Sequence, residues 1–133
     1  MTFKSSTNKL LRKLLGFKNL LVTDHDLCPR KGVLKLLVKP YKNGALCPEC
    51  GRRGTLLKRG PGQAARDART WRDIPAGGLS VALVYCPREI TCPAHGRLQE
   101  AIPWAAPKSR STLRLDYQML RLCKVMTQKE AAA

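Results

Sequence analysis

Two short segments carry residues that could hold a metal ion, Cys47-Pro-Glu-Cys50 and Cys92-Pro-Ala-His95. In each segment two residues separate the candidate ligands, and a glycine follows the second one. Glycine allows the positive φ that a tight turn needs, so each segment can aim two side chains at one point. Three thiolates and one imidazole form a closed tetrahedral set of the kind that structural Zn²⁺ prefers. The spacing therefore predicts one structural zinc ion.

The fourth ligand has a rival in Cys86, which precedes Cys92 by six residues. Cys86 lacks a matching turn, so the pattern favours His95 over it without excluding it. A closed site of this type has a structural role, because a catalytic zinc keeps a position open to water.

The other cysteines and the second histidine carry weaker patterns. Cys123 is expected to be a packed thiol and Cys28 a small buried or surface thiol, and His25 has no partner at ligand spacing. A disulfide framework is disfavoured, as is a thioredoxin-like use of the first cysteine pair, because glycine and basic residues follow that pair where a helix would be needed.

The charge of the chain points to a polyanionic partner. Its 133 residues include 25 basic and 9 acidic ones, which gives a net charge of +16. Such an excess favours nucleic acid. Arg12 and Lys13 interrupt any signal-peptide core, and no apolar stretch has the length of a membrane span, so a cytoplasmic location is expected.

The periodicity predicts an α+β fold, a small zinc-ribbon-like antiparallel β domain at residues 19–104 flanked by helices. Residues 1–18 read as a basic amphipathic helix that Ser6 or Thr7 caps and Gly16 ends. Its apolar stripe is Leu10, Leu11, Leu14 and Leu15. The strands are predicted as a hairpin over residues 20–38, then residues 55–58, 69–74, 79–85 and 97–101, with a hairpin turn at Gly77-Gly78.

Residues 105–133 read as a linker and a helical DNA-binding segment. A helix is expected to begin near Ser111 or Thr112, with Leu113, Tyr117 and Leu120 on one face. Thr127 to Glu130 form a capping box that opens a further helix. No pair or trio of acidic residues suggests a two-metal catalytic site, so the chain is expected not to be an enzyme.

The order of these segments resembles the N-terminal zinc-finger region of insertion-sequence transposases of the ISL-three family. The first pair of candidate ligands, with the glycine after it, matches the pattern of that family. An R-D-I-P stretch, an R-E-I-T-C stretch, an acidic residue and the start of the helical segment also match. The matching positions are Cys47 to Gly51, Arg69, Arg72 to Pro75, Arg88, Ile90, Cys92, Glu100, Arg110, Thr112, Arg114 and Leu115. His95 departs from the cysteine usual in the family, and residues 60–65 look like an insertion.

The resemblance implies a helix-turn-helix that binds the terminal inverted repeats of the element. It also implies an RNase-H-like nuclease domain downstream, before which this chain is expected to be truncated; any homo-oligomer would form through those missing regions. The hypothesis is a DNA-binding module whose basic side chains contact phosphates. On the sheet these are Arg52, Arg53, Lys58, Arg59, Arg69, Arg72 and Arg88. Arg110 is a further predicted nucleic-acid-binding residue, and the C-terminal helix, with Arg114, Arg121 and Lys124, is the candidate for reading a groove.

Trp71 is expected in the core rather than stacked on a base, and Asp73 in a turn or salt bridge. The alternatives are a structural zinc ribbon that binds RNA or protein, and an inactive transposase fragment.

Overall fold

The computed structural model describes residues 3–17, 20–40, 45–58 and 67–126. Two helices and seven strands follow one another along these residues. They are α1 Phe3–Leu14, β1 Leu20–Cys28, β2 Val33–Pro40, β3 Thr55–Leu56, β4 Arg69–Ala76, β5 Leu79–Tyr85, β6 Glu89–Cys92, β7 Gly96–Gln99 and α2 Leu113–Val125. The α+β class is confirmed. Neither helix has the length and apolar character that a membrane crossing needs.

The strands form two sheets, one of four strands in the order β1-β2-β5-β4 and one of three in the order β3-β6-β7. The smaller sheet is antiparallel throughout. In the larger one β2 and β5 run parallel, with Leu34 beside Val81, so the expectation of a wholly antiparallel domain is wrong. The parallel pair joins two hairpins, β1-β2 and β4-β5, each of which has the predicted antiparallel pairing.

One face of the larger sheet carries the main core. Alternate residues of β2 and β5 are buried because a strand points every second side chain to the same face, and Leu36 and Leu83 among them have no solvent exposure. Leu11, Leu15 and Phe17 of the α1 region pack against this core from one side. Leu10 and Leu14 are exposed instead, so only half of the predicted apolar stripe of α1 faces the sheet.

Two tryptophans complete this core. Trp71 is buried as expected, and its ring meets that of Trp104 edge to face with centroids 5.4 Å apart. Residues 104–113 run along the β4 edge: the Arg72 N–H donates to Arg110 O at 2.8 Å, and the Thr112 N–H donates to Arg72 O at 2.9 Å. This segment therefore fixes where α2 begins.

Several local predictions are confirmed and others need correction. Gly77 and Gly78 both have positive φ in the β4-β5 turn, as a type I′ hairpin requires. Thr112 is the N-cap of α2 and accepts from the Leu115 N–H. Strand β6 was not predicted, and Cys123 is exposed rather than packed. The capping box at residues 127–130 and the loop at residues 60–65 lie outside the described residues.

Candidate metal centre and basic surface

Four side chains converge at one end of the smaller sheet. The Sγ atoms of Cys47, Cys50 and Cys92 and a ring nitrogen of His95 all lie within 4.8 Å of one another. Cys86 lies outside this cluster, at the end of β5, where its thiol donates to Pro87 O at 3.8 Å. The four residues predicted from spacing are thus the four that the fold brings together.

Two glycine turns produce this convergence. Gly51 has φ +73° and Gly96 has φ +74°, a region that side chains with a Cβ rarely adopt. In the first turn the Gly51 N–H donates to Cys47 O at 2.9 Å, and the Cys47 N–H donates to Arg52 O at 2.8 Å. In the second, Cys92 pairs with Gly96 at the end of the β6-β7 ladder. Backbone hydrogen bonds between residues of the protein therefore close each turn.

Three of the six distances between donor atoms are close to those of a tetrahedral zinc site. Cys50 Sγ lies 3.6 Å from Cys92 Sγ, and His95 Nδ1 lies 3.6 Å from the Sγ atoms of both Cys47 and Cys92. With bond lengths of about 2.3 Å to sulfur and about 2.05 Å to nitrogen, a tetrahedron has edges of about 3.8 Å and about 3.6 Å. The residues present therefore fit such an ion, which Cys47, Cys50, Cys92 and His95 could hold.

The same contacts alter the acidity of one thiol. The hydrogen bond with His95, followed by one from the Ala94 backbone, lowers the pKa of Cys92 to about 6. A thiolate is the form of cysteine that ligates metal. Cys47 and Cys92 are buried while Cys50 and His95 are exposed, so one side of the cluster is open to solvent.

A buried carboxylate ties the smaller sheet to the larger sheet. Glu100 Oε2 accepts from the Tyr85 hydroxyl at 2.6 Å, from the Arg88 N–H at 2.7 Å and from Arg88 Nε at 2.8 Å. Burial, and then the hydrogen bond to Glu100, raises the pKa of Tyr85. Since Tyr85 ends β5 while Arg88 and Glu100 flank β6 and β7, this network sets the position of one sheet against the other.

A second buried carboxylate ties α2 to the larger sheet and to the end of α1. Asp73, whose side chain has no exposure, accepts from Thr112 Oγ1 at 2.8 Å and from Arg114 Nε at 2.7 Å, with a further short bond from Arg114 Nη2. Arg114 Nη1 also donates to Leu15 O at 2.5 Å, and its guanidinium lies 4.4 Å from the Phe17 ring centre. Asp73 is therefore the predicted salt-bridge residue.

The predicted nucleic-acid-binding residues divide into two groups. Seven are exposed: Arg52, Arg53, Lys58, Arg69, Arg72, Arg110 and Arg121. Arg88 and Arg114 are half-buried, and each holds an internal carboxylate. Arg59 lies outside the described residues. Sequence reasoning gave Arg88 and Arg114 only a surface role because their acidic partners lie 12 and 41 residues away in the chain.

Helix α2 has no buried residue among those described. Leu113, Tyr117 and Leu120, the predicted face, are 49%, 65% and 62% exposed, and Met119 on another side is 54% exposed. Met119 lies about a third of a turn from the centre of the predicted face at 100° per residue. The helix is thus attached through its first turn, while its body carries apolar surface that the rest of the described chain does not cover.

Comparison with known proteins finds a similarity in the segment that contains this helix. Residues 100–133 match the helix-turn-helix domain of transposase family ISL3, the ISL-three family. The resemblance to ISL3 transposases is confirmed. Two curated relatives, one from each of two strains of Mycobacterium tuberculosis, are 33% identical to this chain over 70 residues. Each is named as a transposase for insertion sequence element IS1557.

That similarity covers 53% of this chain and 15% of each Mycobacterium tuberculosis relative. The chain therefore matches only a small part of the length of these curated relatives. No solved structure matches the chain.

Proposed function

We propose that this chain is a zinc-stabilised DNA-binding module of an ISL3-type transposase and that it binds the terminal inverted repeats of its insertion element. The observation that carries the proposal is the match of residues 100–133 to the ISL3 helix-turn-helix, in a chain with a net charge of +16. A helix-turn-helix places a helix in the major groove, and surrounding cations contact phosphates.

The architecture supports a division of work between the parts. The metal centre would hold the two turns of the smaller sheet, and Glu100 would carry that fixed position to the larger sheet. Asp73 then sets the first turn of α2 against the same sheet. A zinc ion here would supply folding free energy rather than reactivity, since four protein ligands leave no position for a substrate.

The test of DNA recognition is a binding measurement with three labelled probes. A duplex carrying the terminal repeat of the element that encodes the chain is compared with a scrambled duplex of equal length and with a structured RNA, at several salt concentrations. The expected result is tighter binding to the terminal repeat, with a strong salt dependence for both duplexes. Equal binding to all three probes would favour the rival function, a zinc ribbon that binds RNA.

The metal is tested by elemental analysis of the purified chain. One zinc per chain is expected, with loss of that zinc in Cys92→Ser and retention in Cys86→Ser, which removes the rival cysteine. A chain that carries no metal and is nevertheless fully folded would contradict this part of the proposal.

We also propose that the chain by itself does not cleave DNA. The described acids that are most deeply buried, Asp73 and Glu100, each hold an arginine, and neither forms a carboxylate cluster for catalytic metal ions. A nicking assay on a supercoiled plasmid with Mg²⁺ or Mn²⁺ should give no product above background. Reproducible cleavage would assign an enzymatic role to this chain.

Binding to the element in a bacterial chromosome would place the protein in the cytoplasm.

A further inference from the structure

A cleft of about 550 Å³ opens between the smaller sheet and the β4 edge of the larger sheet. Its lining includes Pro48 of the first ligand turn on one side and Trp71 of β4 on the other. Exposed side chains of Arg69, Lys108 and Arg110 also line it. The cleft thus lies where three parts of the chain meet. They are the turn that contains Pro48, the larger sheet and the segment that leads into α2.

The lining of this cleft is positively charged. Arg69, Lys108 and Arg110 have no carboxylate partner within the described ranges. The acidic residue in the lining, Glu100, is 2% exposed at its side chain and is paired with Arg88. Cations that converge on a concave surface with a low-dielectric wall focus the field and attract anions. The cleft therefore has the charge of an anion site.

The backbone that carries two of these cations is held in place. The Arg72 N–H donates to Arg110 O at 2.8 Å, and the Ser109 N–H donates to Ala106 O at 3.0 Å across the turn that contains Lys108. Lys108 has φ +63°, the one non-glycine residue with positive φ among those described. A glycine would adopt this conformation without strain, whereas a lysine contributes a cation at the cost of some strain.

Part of the cleft lining lies directly before α2 in the chain. Arg110 precedes the α2 N-cap, Thr112, by two residues, and the Leu113 N–H donates to Trp104 O at 2.7 Å. A group bound in the cleft would therefore have a fixed position relative to the start of α2. The volume lies within the range of about 300–1,000 Å³ of small-ligand sites, which suits a phosphodiester with its sugars and not a whole duplex.

From this convergence we propose that the cleft lined by Arg69, Lys108 and Arg110 binds a phosphodiester of duplex DNA and thereby sets the register of α2 on that duplex. The inference rests on the proposed DNA-binding function and adds the point at which the backbone is held. It assigns a role to Lys108, which the sequence indicated only as part of a linker.

The test compares cleft cations with a matched cation elsewhere. Arg69→Gln, Lys108→Gly and Arg110→Gln are measured beside Lys35→Gln by anisotropy with a fluorescein-labelled duplex of random sequence at several KCl concentrations. Lys35 is exposed between the buried Leu34 and Leu36, so its side chain leaves the opposite face of the sheet. Lys108→Gly keeps the turn, because glycine accepts its φ.

Each cleft variant is expected to bind about 3- to 10-fold more weakly and to lower the slope of log K against log salt by about one, the value for one lost phosphate contact. Lys35→Gln should leave the slope within experimental error. If Lys35→Gln weakens binding as much as the cleft variants do, DNA binding stands while the cleft proposal is overturned. If the unaltered chain binds no duplex, the proposed function itself fails.

A second measurement needs no variant. Lysine acetylation with a water-soluble reagent, read by mass spectrometry, is carried out with and without the duplex. Lys108 should be acetylated several-fold more slowly when DNA is bound, while Lys35 should react at the same rate in both samples. Equal rates at Lys108 with and without saturating duplex would overturn the assignment.

Discussion

Removal of the metal should unfold the smaller sheet and leave the larger one folded. The two sheets have separate cores: twelve buried residues in the larger, and Ala45, Cys47, Ile90 and Cys92 in the smaller. Half of the second core, Cys47 and Cys92, consists of candidate metal ligands. The smaller sheet thus has little apolar burial that does not depend on the metal centre.

The magnitudes support this difference. Full burial of one isoleucine, here Ile90, contributes about 1.5–3 kcal/mol, whereas ordering the backbone of each residue costs about 1–2 kcal/mol. Structural zinc contributes about 10–16 kcal/mol in small zinc domains. Without that contribution the few apolar contacts of residues 45–58 and 88–100 cannot offset the ordering of their backbone. The larger core keeps all of its apolar contacts.

The assay is amide hydrogen exchange, read by mass spectrometry or NMR and compared between the zinc-loaded and the chelator-treated chain. The amides of Cys47, Gly54 and Leu57 bond to carbonyls within the smaller sheet region. They should lose protection by about 1,000-fold or more, since each 1.4 kcal/mol of lost stability corresponds to about tenfold. The amides of Leu36 and Leu83, in the larger sheet, should keep most of theirs.

Two outcomes would refute the reasoning. Unchanged protection at Gly54 and Leu57 after complete metal removal would mean that the smaller sheet does not depend on the ion. Equal loss in both sheets would mean that the Glu100 network makes them one cooperative unit. Cys92→Ser should reproduce the effect of the chelator in the presence of zinc, and Cys86→Ser, which alters a thiol outside the cluster, should not.

Three further perturbations test the packing. Asp73→Asn should lower the free energy of unfolding, measured in urea, by about 2–4 kcal/mol, because it weakens charged hydrogen bonds of a buried group. A double-mutant cycle with Arg114→Gln should give a coupling energy of at least about 1 kcal/mol, and additive effects would contradict the pairing. Gly54→Ala should cost about 1–3 kcal/mol, because its Cβ would lie 2.7 Å from Ile90 Cδ1, and Ile90→Val should recover part of that loss if the clash is the cause. The raised pKa of Tyr85 means that the folded state favours the neutral phenol, so the contribution of Tyr85 to the free energy of unfolding is complete below pH 10.0 and falls at higher pH. Tyr85→Phe should therefore lose less stability than the unaltered chain between about pH 10 and 11. The same dependence of stability on pH in both proteins would show that Tyr85 is not the cause.

Local chemistry made part of this structure predictable. The two ligand turns depend on residues within five positions of one another, and Gly51 and Gly96 have the positive φ that their spacing implied. The alternation of Leu79 to Tyr85 gave the bounds of β5, and Thr112 was recognisable as a helix cap. In each case the residues that determine the conformation are close together in the chain.

Pairing between distant segments was not predictable in the same way. Nothing in the sequences of β2 and β5 specifies that they run parallel, since that depends on how the two hairpins pack on a common core. Strand β6 is only four residues long and pairs on both sides, so its pattern is too short to show alternation. The exposed Leu10 and Leu14 likewise show that a stripe of four leucines does not determine how much of it the sheet will cover.

The buried acids explain how so basic a chain can present its charge in a defined arrangement. Glu100 and Asp73 each accept several hydrogen bonds in the interior, and each does so from an arginine that joins separate elements. A buried carboxylate and a forked guanidinium have a narrow range of favourable geometries, so each pair fixes an orientation as well as a contact. The cations that remain exposed, Arg69, Lys108 and Arg110 among them, are carried by the elements so oriented. We therefore expect Arg88 and Arg114 to act on the proposed DNA binding by positioning other cations, a role that lysine would not fill because it lacks the planar fork.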